Sequence, residues 1–230
     1  MHRAYPMPRK ADTDDRLLLR HARARRLAGL YAVTPDIADT AFLVARVEAA
    51  LAGGASAIQY RNKTADAALR RVQAEALARV HAVRGGLYIV NDDAALAAAV
   101  GADGVHLGED DVSLAAAREI LGPESIIGIS CYDQFELAEA AVATGADYVA
   151  FGSFFPSSVK PGARHAGLTL LERATSLGVP VVAIGGITAD NAGELMRAGA
   201  HAVAVISAVF GDGDCVAVER AARAIAAACG

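Results

Sequence analysis

The chain alternates between two kinds of segment. Short apolar runs rich in Val, Ile and Leu recur at Leu30–Val33, Ala55–Tyr60, Leu87–Val90, Gly104–Leu107, Ile126–Ile129, Tyr148–Phe151, Val179–Ile184 and Ala202–Ile206. Between them lie alanine-rich stretches such as Leu43–Leu51, Ala67–Val83 and Glu136–Ala143, whose apolar positions recur at helical spacing. Runs that are apolar without alternation read as parallel strands buried on both faces. Glycine closes several helices just before the next strand, as in Ala52-Gly53-Gly54-Ala55, Val100-Gly101-Ala102, Thr144-Gly145-Ala146 and Ala198-Gly199-Ala200. A left-handed C-terminal cap favours a residue without a Cβ. Gly-Ala recurs ahead of Asp103, Asp147 and His201, which makes the β–α unit look like an internal repeat.

Eight such units predict an α/β fold, a single (β/α)8 TIM barrel. A doubly wound open sheet would satisfy the alternation equally well. An open sheet, however, gathers its ligand groups at one switch point, whereas here a polar cluster follows nearly every apolar run. These clusters are Gln59-Tyr60-Arg61-Asn62-Lys63, Asn91-Asp92-Asp93, His106-Leu107-Gly108-Glu109-Asp110-Asp111, Gly128-Ile129-Ser130, Phe155-Pro156-Ser157-Ser158-Val159-Lys160, Gly185-Gly186 and Ile206-Ser207. In a barrel they all lie at the C-terminal face, where such folds carry their active sites.

Charge divides the chain. Net charge is −4 over 230 residues, yet residues 1–27 carry eight Lys/Arg against three Asp, so the remainder is strongly acidic. We read residues 1–27 as a basic extension, partly helical or disordered, and 28–230 as the barrel. The extension lacks interleaved aromatic residues and the acidic body repels phosphate backbones, which argues against nucleic acid as a partner. No apolar run is long enough to span a bilayer, so no membrane partner is expected. Three scattered cysteines, Cys131, Cys215 and Cys229, form neither a disulfide framework nor a zinc pattern, which fits the cytoplasm.

The rim residues suggest a chemistry. Neighbouring strands lie roughly 5 Å apart, so Gln59, Arg61 and Lys63 should stand beside Asn91 and Asp92, with Asp111 next along. Two carboxylates near two cations suit Mg2+ held by Asp92 and Asp111, facing a polyanion held by Arg61 and Lys63. Ser130 and Lys160 close on the same polyanion from later strands. Asp93 and Asp110 read as helix caps or neighbours of the metal, and His106 as a buried, hydrogen-bonded histidine. Gly185, Gly186, Ile206 and Ser207 end the last two strands, where many barrels bind a phosphate monoester through backbone N–H groups. Two separate anionic subsites result. No nucleophile–base pair accompanies them, so the site stabilises charge, as a departing pyrophosphate requires.

Taken in order, Gln59-x-Arg61-x-Lys63, Asn91-Asp92, His106-x-Gly108-x-x-Asp111, Gly128-x-Ser130, Phe155-Pro156-x-x-x-Lys160, Gly185-Gly186-Ile187 and Ile206-Ser207 resemble the thiamine-phosphate synthase family over roughly residues 28–228. The resemblance implies a transferase with Mg2+ as cofactor. It implies that 4-amino-5-hydroxymethyl-2-methylpyrimidine diphosphate and 4-methyl-5-(2-phosphoethyl)thiazole are joined to give thiamine monophosphate and pyrophosphate. Pyrophosphate would leave first, giving a pyrimidine-methyl cation that the thiazole nitrogen attacks. By the same resemblance Gln59 contacts the pyrimidine, while Arg61, Lys63, Asn91, Ser130 and Lys160 surround the pyrophosphate. Asp92 and Asp111 hold the metal. Ser157, Ser158 and Val159 line the thiazole phosphate pocket, with Gly186, Ile206 and Ser207 adding backbone contacts. Lys63, Ser130 and Lys160 are the expected catalytic groups, and Tyr60, Asn62 and Gly185 are counted with the substrate-binding set.

The chain also departs from the family's pattern. Val159 stands where the family commonly has a hydroxyl residue, Glu109 where glutamine is frequent, and Cys131-Tyr132 where Ala-His is commoner. Two alternatives remain at this stage: a thiazole tautomerase on the same barrel, and a non-catalytic phosphate-binding barrel. A homodimer also stays open.

Overall fold

The computed structural model describes residues 10–156 and 166–230. Helix α1 (Lys10–Ala24) precedes strand β1 (Gly29–Val33), followed by α2 (Thr40–Ala52), β2 (Ala57–Tyr60), α3 (Ala67–Arg84) and β3 (Leu87–Asn91). Next come α4 (Ala94–Val100), β4 (Gly104–Leu107), α5 (Leu114–Leu121), β5 (Ile126–Tyr132), α6 (Phe135–Ala143) and β6 (Tyr148–Phe151). The chain continues through α7 (Leu168–Ala174), β7 (Val181–Ile184), α8 (Ala189–Arg197), β8 (Ala202–Val205), α9 (Ser207–Phe210) and α10 (Cys215–Ala228). The eight strands pair in parallel and in chain order, and β1 closes on β8. The architecture is therefore the expected (β/α)8 barrel.

The strands differ from the apolar runs at their ends, for local reasons. Ala55 still belongs to the turn that closes α2, its N–H donating to Ala50 O at 3.1 Å, so β2 begins two residues later. Pro180 has no N–H to give a ladder, and β7 starts just after it. The fifth strand runs beyond Ile129 to Tyr132 through a register shift between Ser130 and Tyr132. That irregularity sets Ser130 inside the strand rather than after it, and Tyr132 takes a positive φ of 53°.

Alternation along each strand divides the apolar residues into two shells. Ile58, Val90, Val105, Ile127, Val149 and Phe151 face the helices. Tyr31, Ala57, Leu87, Ile126, Tyr148 and Val182 belong to a separate cluster that fills the barrel. Tyr148 needs room that only glycine leaves. A Cβ on Gly128 would fall 2.0 Å from its ring.

The N-terminal segment joins this interior. Ala24 and Leu27 are buried within the inner cluster. Burying Leu27 alone is worth about 2 kcal/mol. Asp147 sits fully buried beneath β6, its Oδ2 accepting from Arg118 Nη2 at 2.6 Å and from Ile127 N at 2.8 Å. Arg20 of α1 brings its Nε to 2.6 Å from Asp147 Oδ1, as a charge contact rather than an aligned hydrogen bond. Arg20 Nη1 also donates to Pro123 O at 3.0 Å. The basic helix is thus tied to the barrel floor, at the opposite end from the polar clusters.

Candidate active site

The pleat of β2 sorts the residues of the first cluster. Gln59 turns into the barrel, where its Nε2 lies 2.8 Å from Tyr31 Oη. Tyr60 turns the other way and donates to Gln73 Oε1 at 2.9 Å. Asn62 is buried and saturated. Its Nδ2 donates to Ile37 O and Gln73 Oε1, and its Oδ1 accepts from the N–H groups of Thr64 and Ala65. Tyr60 and Asn62 therefore brace the loop against α3, and their polar atoms are already engaged. Their bodies still help wall a cavity that Lys63, Asn91 and Asp92 line with Arg70.

Two residues after β1 hold the rim in place. Thr34 is fully buried, accepting from Arg61 N at 2.8 Å and donating to Arg61 O at 2.9 Å. Asp36 Oδ1 accepts from Lys63 N at 2.8 Å and from Arg61 Nη1 at 3.2 Å. One threonine and one carboxylate thereby orient both cations. The sequence carried a signal for them, since Thr34-Pro35-Asp36 is another polar cluster directly after an apolar run.

At β3 and β4 the carboxylates meet. Asp92 adopts a left-handed φ of 63°, uncommon outside glycine though least so for Asn and Asp. Its N–H donates to His106 O at 2.8 Å, which pins the strained residue to β4. Lys63 Nζ stands 3.3 Å from Asp92 Oδ2. Asp111 Oδ2 accepts from Gly108 N at 2.6 Å. Burial and the adjacent Asp92 carboxylate hold the Asp111 carboxyl above its ordinary range, against the opposing pull of the Gly108 N–H and Lys63. Two carboxylates that repel each other are poorly compensated by one exposed lysine, and a divalent cation suits that deficit. Among the described residues no group of three or more His, Cys, Asp or Glu gathers as a metal cage. Mg2+ needs none, because it keeps waters and takes one or two carboxylates plus substrate phosphate oxygens. Asp93 accepts from Leu96 N at 2.8 Å and caps α4. Asp110 caps nothing, because Ser113 occupies that position for α5.

Ser130 meets His106 from the neighbouring strand, Oγ to Nε2, at 2.9 Å. The other imidazole nitrogen, Nδ1, lies 3.0 Å from Tyr148 Oη. Burial pushes the His106 pKa down to about 4, so the ring is neutral near pH 7. Burial also raises both Tyr31 and Tyr148, which stay protonated phenols. Cys131 is buried with its thiol pushed up to about 12, which removes it as a nucleophile.

Beyond β7, Gly185 and Gly186 take φ values of +107° and +65°. Gly185 O accepts from Phe155 N at 3.1 Å, so the glycine turn and the segment after β6 support each other. Ile206 and Ser207 follow β8 into α9, and the buried Arg46 fastens the end of that turn through Phe210 O, Gly211 O and Gly213 O. Arg46 gave no sign of this in the sequence, since it sits inside a helical run. Ser157, Ser158, Val159 and Lys160 lie outside the described residues.

Residues 30–209 match the family model described as thiamine monophosphate synthase. The chain belongs to this family. It is 56% identical over 196 residues to a thiamine-phosphate synthase of Chromobacterium violaceum, covering 85% of this chain and 95% of that protein. A thiamine-phosphate synthase of an Azoarcus species is also 56% identical, over 82% of this chain and 92% of its own length. Among solved structures, a thiamine phosphate pyrophosphorylase from Pyrococcus furiosus superposes with a TM-score of 0.78 at 39% identity, covering 89% of this chain and 96% of that one. Relatives and solved structure thus agree with the family that the rim motifs resemble. No described helix is long and apolar enough to cross a membrane.

Proposed function

We propose that the chain is a thiamine-phosphate synthase, a transferase that moves a pyrimidinylmethyl group from pyrophosphate to a thiazole nitrogen. The bond that breaks joins the pyrimidine methylene carbon to the diphosphate oxygen, and its electron pair leaves with pyrophosphate. The bond that forms joins the same carbon to the thiazole nitrogen, which supplies the new pair. The product is thiamine monophosphate.

The observation that carries this reading is the juxtaposition of Lys63, Asp92 and Asp111 on a rim whose chain is 56% identical to a thiamine-phosphate synthase. Arg61 and Lys63 hold the diphosphate, with Asp36 and Thr34 fixing the backbone that presents them. Asn91 and Ser130 add neutral donors. Gln59 meets the pyrimidine from inside the barrel. Asp92 and Asp111 would hold Mg2+, which would supply positive charge at the departing diphosphate. Gly185, Gly186, Ile206 and Ser207 receive the thiazole phosphate, together with Ser157, Ser158 and Val159, while Lys160 joins Arg61 and Lys63 on the diphosphate. The three cysteines are free thiols, which supports a cytoplasmic home.

The test is a coupling assay with the purified chain, Mg2+, the pyrimidine diphosphate and the thiazole phosphate, reading product after oxidation to fluorescent thiochrome. The expected result is product that disappears with EDTA. No product from folded chain would sink the reading.

A further inference from the structure

Five polar side chains form one continuous file through the barrel interior. Gln59 Nε2 lies 2.8 Å from Tyr31 Oη, and Tyr31 Oη lies 3.0 Å from Tyr148 Oη. Tyr148 Oη lies 3.0 Å from His106 Nδ1, and His106 Nε2 lies 2.9 Å from Ser130 Oγ. Gln59, Tyr31, Tyr148 and His106 are buried, and Ser130 at the far end is half-buried. Bulk solvent therefore does not supply the middle of the file with partners.

Proton counting leaves this file only two complete arrangements. Each phenol has one proton to give, and a neutral imidazole gives from one nitrogen and accepts at the other. If Gln59 gives its amide N–H to Tyr31, then Tyr31 must give to Tyr148, and Tyr148 to His106 Nδ1. His106 then gives its Nε2 proton to Ser130, whose own hydroxyl proton is left to point outward. If the Gln59 amide is turned over, every bond reverses, and Ser130 spends its proton on His106. A mixed arrangement either strands a buried O–H or N–H or sets the two phenol oxygens lone pair to lone pair at 3.0 Å, and both are costly in a dry interior. The file is therefore all-forward or all-reversed.

The Gln59 amide presents Nε2 to Tyr31 Oη, which selects the forward arrangement, and that arrangement has a consequence at each end. Gln59 Oε1 has no hydrogen-bond partner among the described residues and is left as an acceptor, the match for an amino group. Ser130 becomes a donor, the match for an anionic oxygen. In the reversed arrangement both ends have the wrong sign for those two ligands. An amino-bearing ring at Gln59 and a diphosphate at Ser130 thus favour the same polarity. Each ligand helps prepare the site of the other, as reciprocal coupling demands.

We propose that Gln59, Tyr31, Tyr148, His106 and Ser130 form a polarised hydrogen-bond relay. It couples recognition of an amino-substituted ring at Gln59 to hydrogen-bond donation by Ser130 onto the leaving diphosphate. Tyr31, Tyr148 and His106 are positioning residues in this scheme, acting through the groups at either end. The assignment of the two ligands rests on the synthase reading, whereas the polarity of the relay does not.

Two measurements separate these parts. The full chain labelled with 15N-histidine, compared with His106→Gln to identify the signal, reports the His106 tautomer by NMR. The forward relay predicts a proton on Nε2 and a bare Nδ1, and a proton on Nδ1 would overturn it. Kinetics then test the coupling. Tyr148→Phe cuts the relay while keeping the ring over Gly128, and kcat should fall about tenfold, less than for loss of a whole donor, because Ser130 is depolarised rather than removed. Adding Ser130→Ala should then cost less than threefold more, and KM for the pyrimidine diphosphate should move less than kcat. Tyr31→Phe, which cuts the file one link earlier, should behave alike. Losses that simply multiply in both double variants would overturn the coupling. A wild-type chain with no turnover would instead remove the synthase reading, and the tautomer would still decide the relay.

Discussion

Lys63 Nζ lies 3.3 Å from Asp92 Oδ2, across the gap between the second and third strands of the barrel. The lysine is more than half exposed, so the pair contributes little to folding. Its value lies in charge placement, because Asp92 also faces Asp111, and Lys63 is the cation that moderates their repulsion. Lys63→Ala should therefore leave the urea midpoint almost unchanged, within about 0.5 kcal/mol. Turnover should fall at least about a hundredfold, as when a charge-stabilising donor is removed. Parallel urea titration and initial rates check both halves, and equal losses in stability and rate would assign Lys63 to the fold.

The floor of the barrel calls for the opposite signature. Asp147 has no exposure and answers to two arginines, Arg118 from α5 and Arg20 from the basic N-terminal helix. Arg118→Leu leaves a buried carboxylate with one cation and should cost about 3 kcal/mol. The rate per folded molecule should stay near wild type, because the rim lies at the other end of the strands. Removing residues 1–26 should also destabilise the chain, since it takes away Arg20 and the buried Ala24. Urea denaturation with activity normalised to folded protein measures both.

The contrast between rim and floor explains what could be read from the sequence. Gln59, Arg61, Lys63, Asp92 and Asp111 interrupt apolar runs, and a polar residue at a strand end is conspicuous. The eight runs themselves announced the barrel, because parallel strands buried on both faces lose their alternation. Tyr31 and Tyr148 were not conspicuous. Each sits within an apolar run and looks like a core residue until its hydroxyl is seen to meet a partner from a distant strand. Arg20 was hidden for a similar reason. Charge composition marked residues 1–27 as a basic arm, while the carboxylate that holds Arg20 sits far along the chain at the start of β6. Tyr60 and Asn62 lay in the right cluster, yet the pleat of β2 and the Gln73 side chain engage their polar groups. Ser157–Lys160 stay an expectation from motif alone.

His106 should leave a mark on acid stability. The folded protein protonates this ring only near pH 4, whereas an unfolded histidine takes its proton near 6.5. Between those values the unfolded chain binds more protons, so stability falls as the pH drops through that window. Above it the group contributes nothing, and below it the full penalty of about 3 kcal/mol applies. His81 and His201 are shifted in the same direction, so the measurement must be a difference. His106→Gln should be less stable than wild type at pH 7.5, and the gap should narrow as the pH is lowered to 4.5. A gap that does not change with pH would show that the folded ring takes its proton at the same pH as the unfolded chain.

Gly186 tests the second anionic subsite. Its φ is +65°, and a Cβ there would fall 2.5 Å from Pro156 O and 2.7 Å from Phe155 Cβ. Two of its nearest neighbours are main-chain oxygens, so an alanine cannot be accommodated by swinging a flexible tip aside. Asn191 Nδ2 also donates to Gly186 O at 3.1 Å, which ties the turn to the start of α8. Gly186→Ala should cost about 1–2 kcal/mol from the left-handed backbone alone. It should also push away the segment at Phe155–Pro156. The KM for the thiazole phosphate should then rise several times more than the KM for the pyrimidine diphosphate, most of whose groups stand on the second to fifth strands. Gly85→Ala supplies the control, because Gly85 has a similar φ of +77° but nothing within 4 Å of the added carbon. It should lose stability without changing either KM. If Gly186→Ala behaves like Gly85→Ala, the glycine turn serves the fold and the thiazole phosphate lies elsewhere.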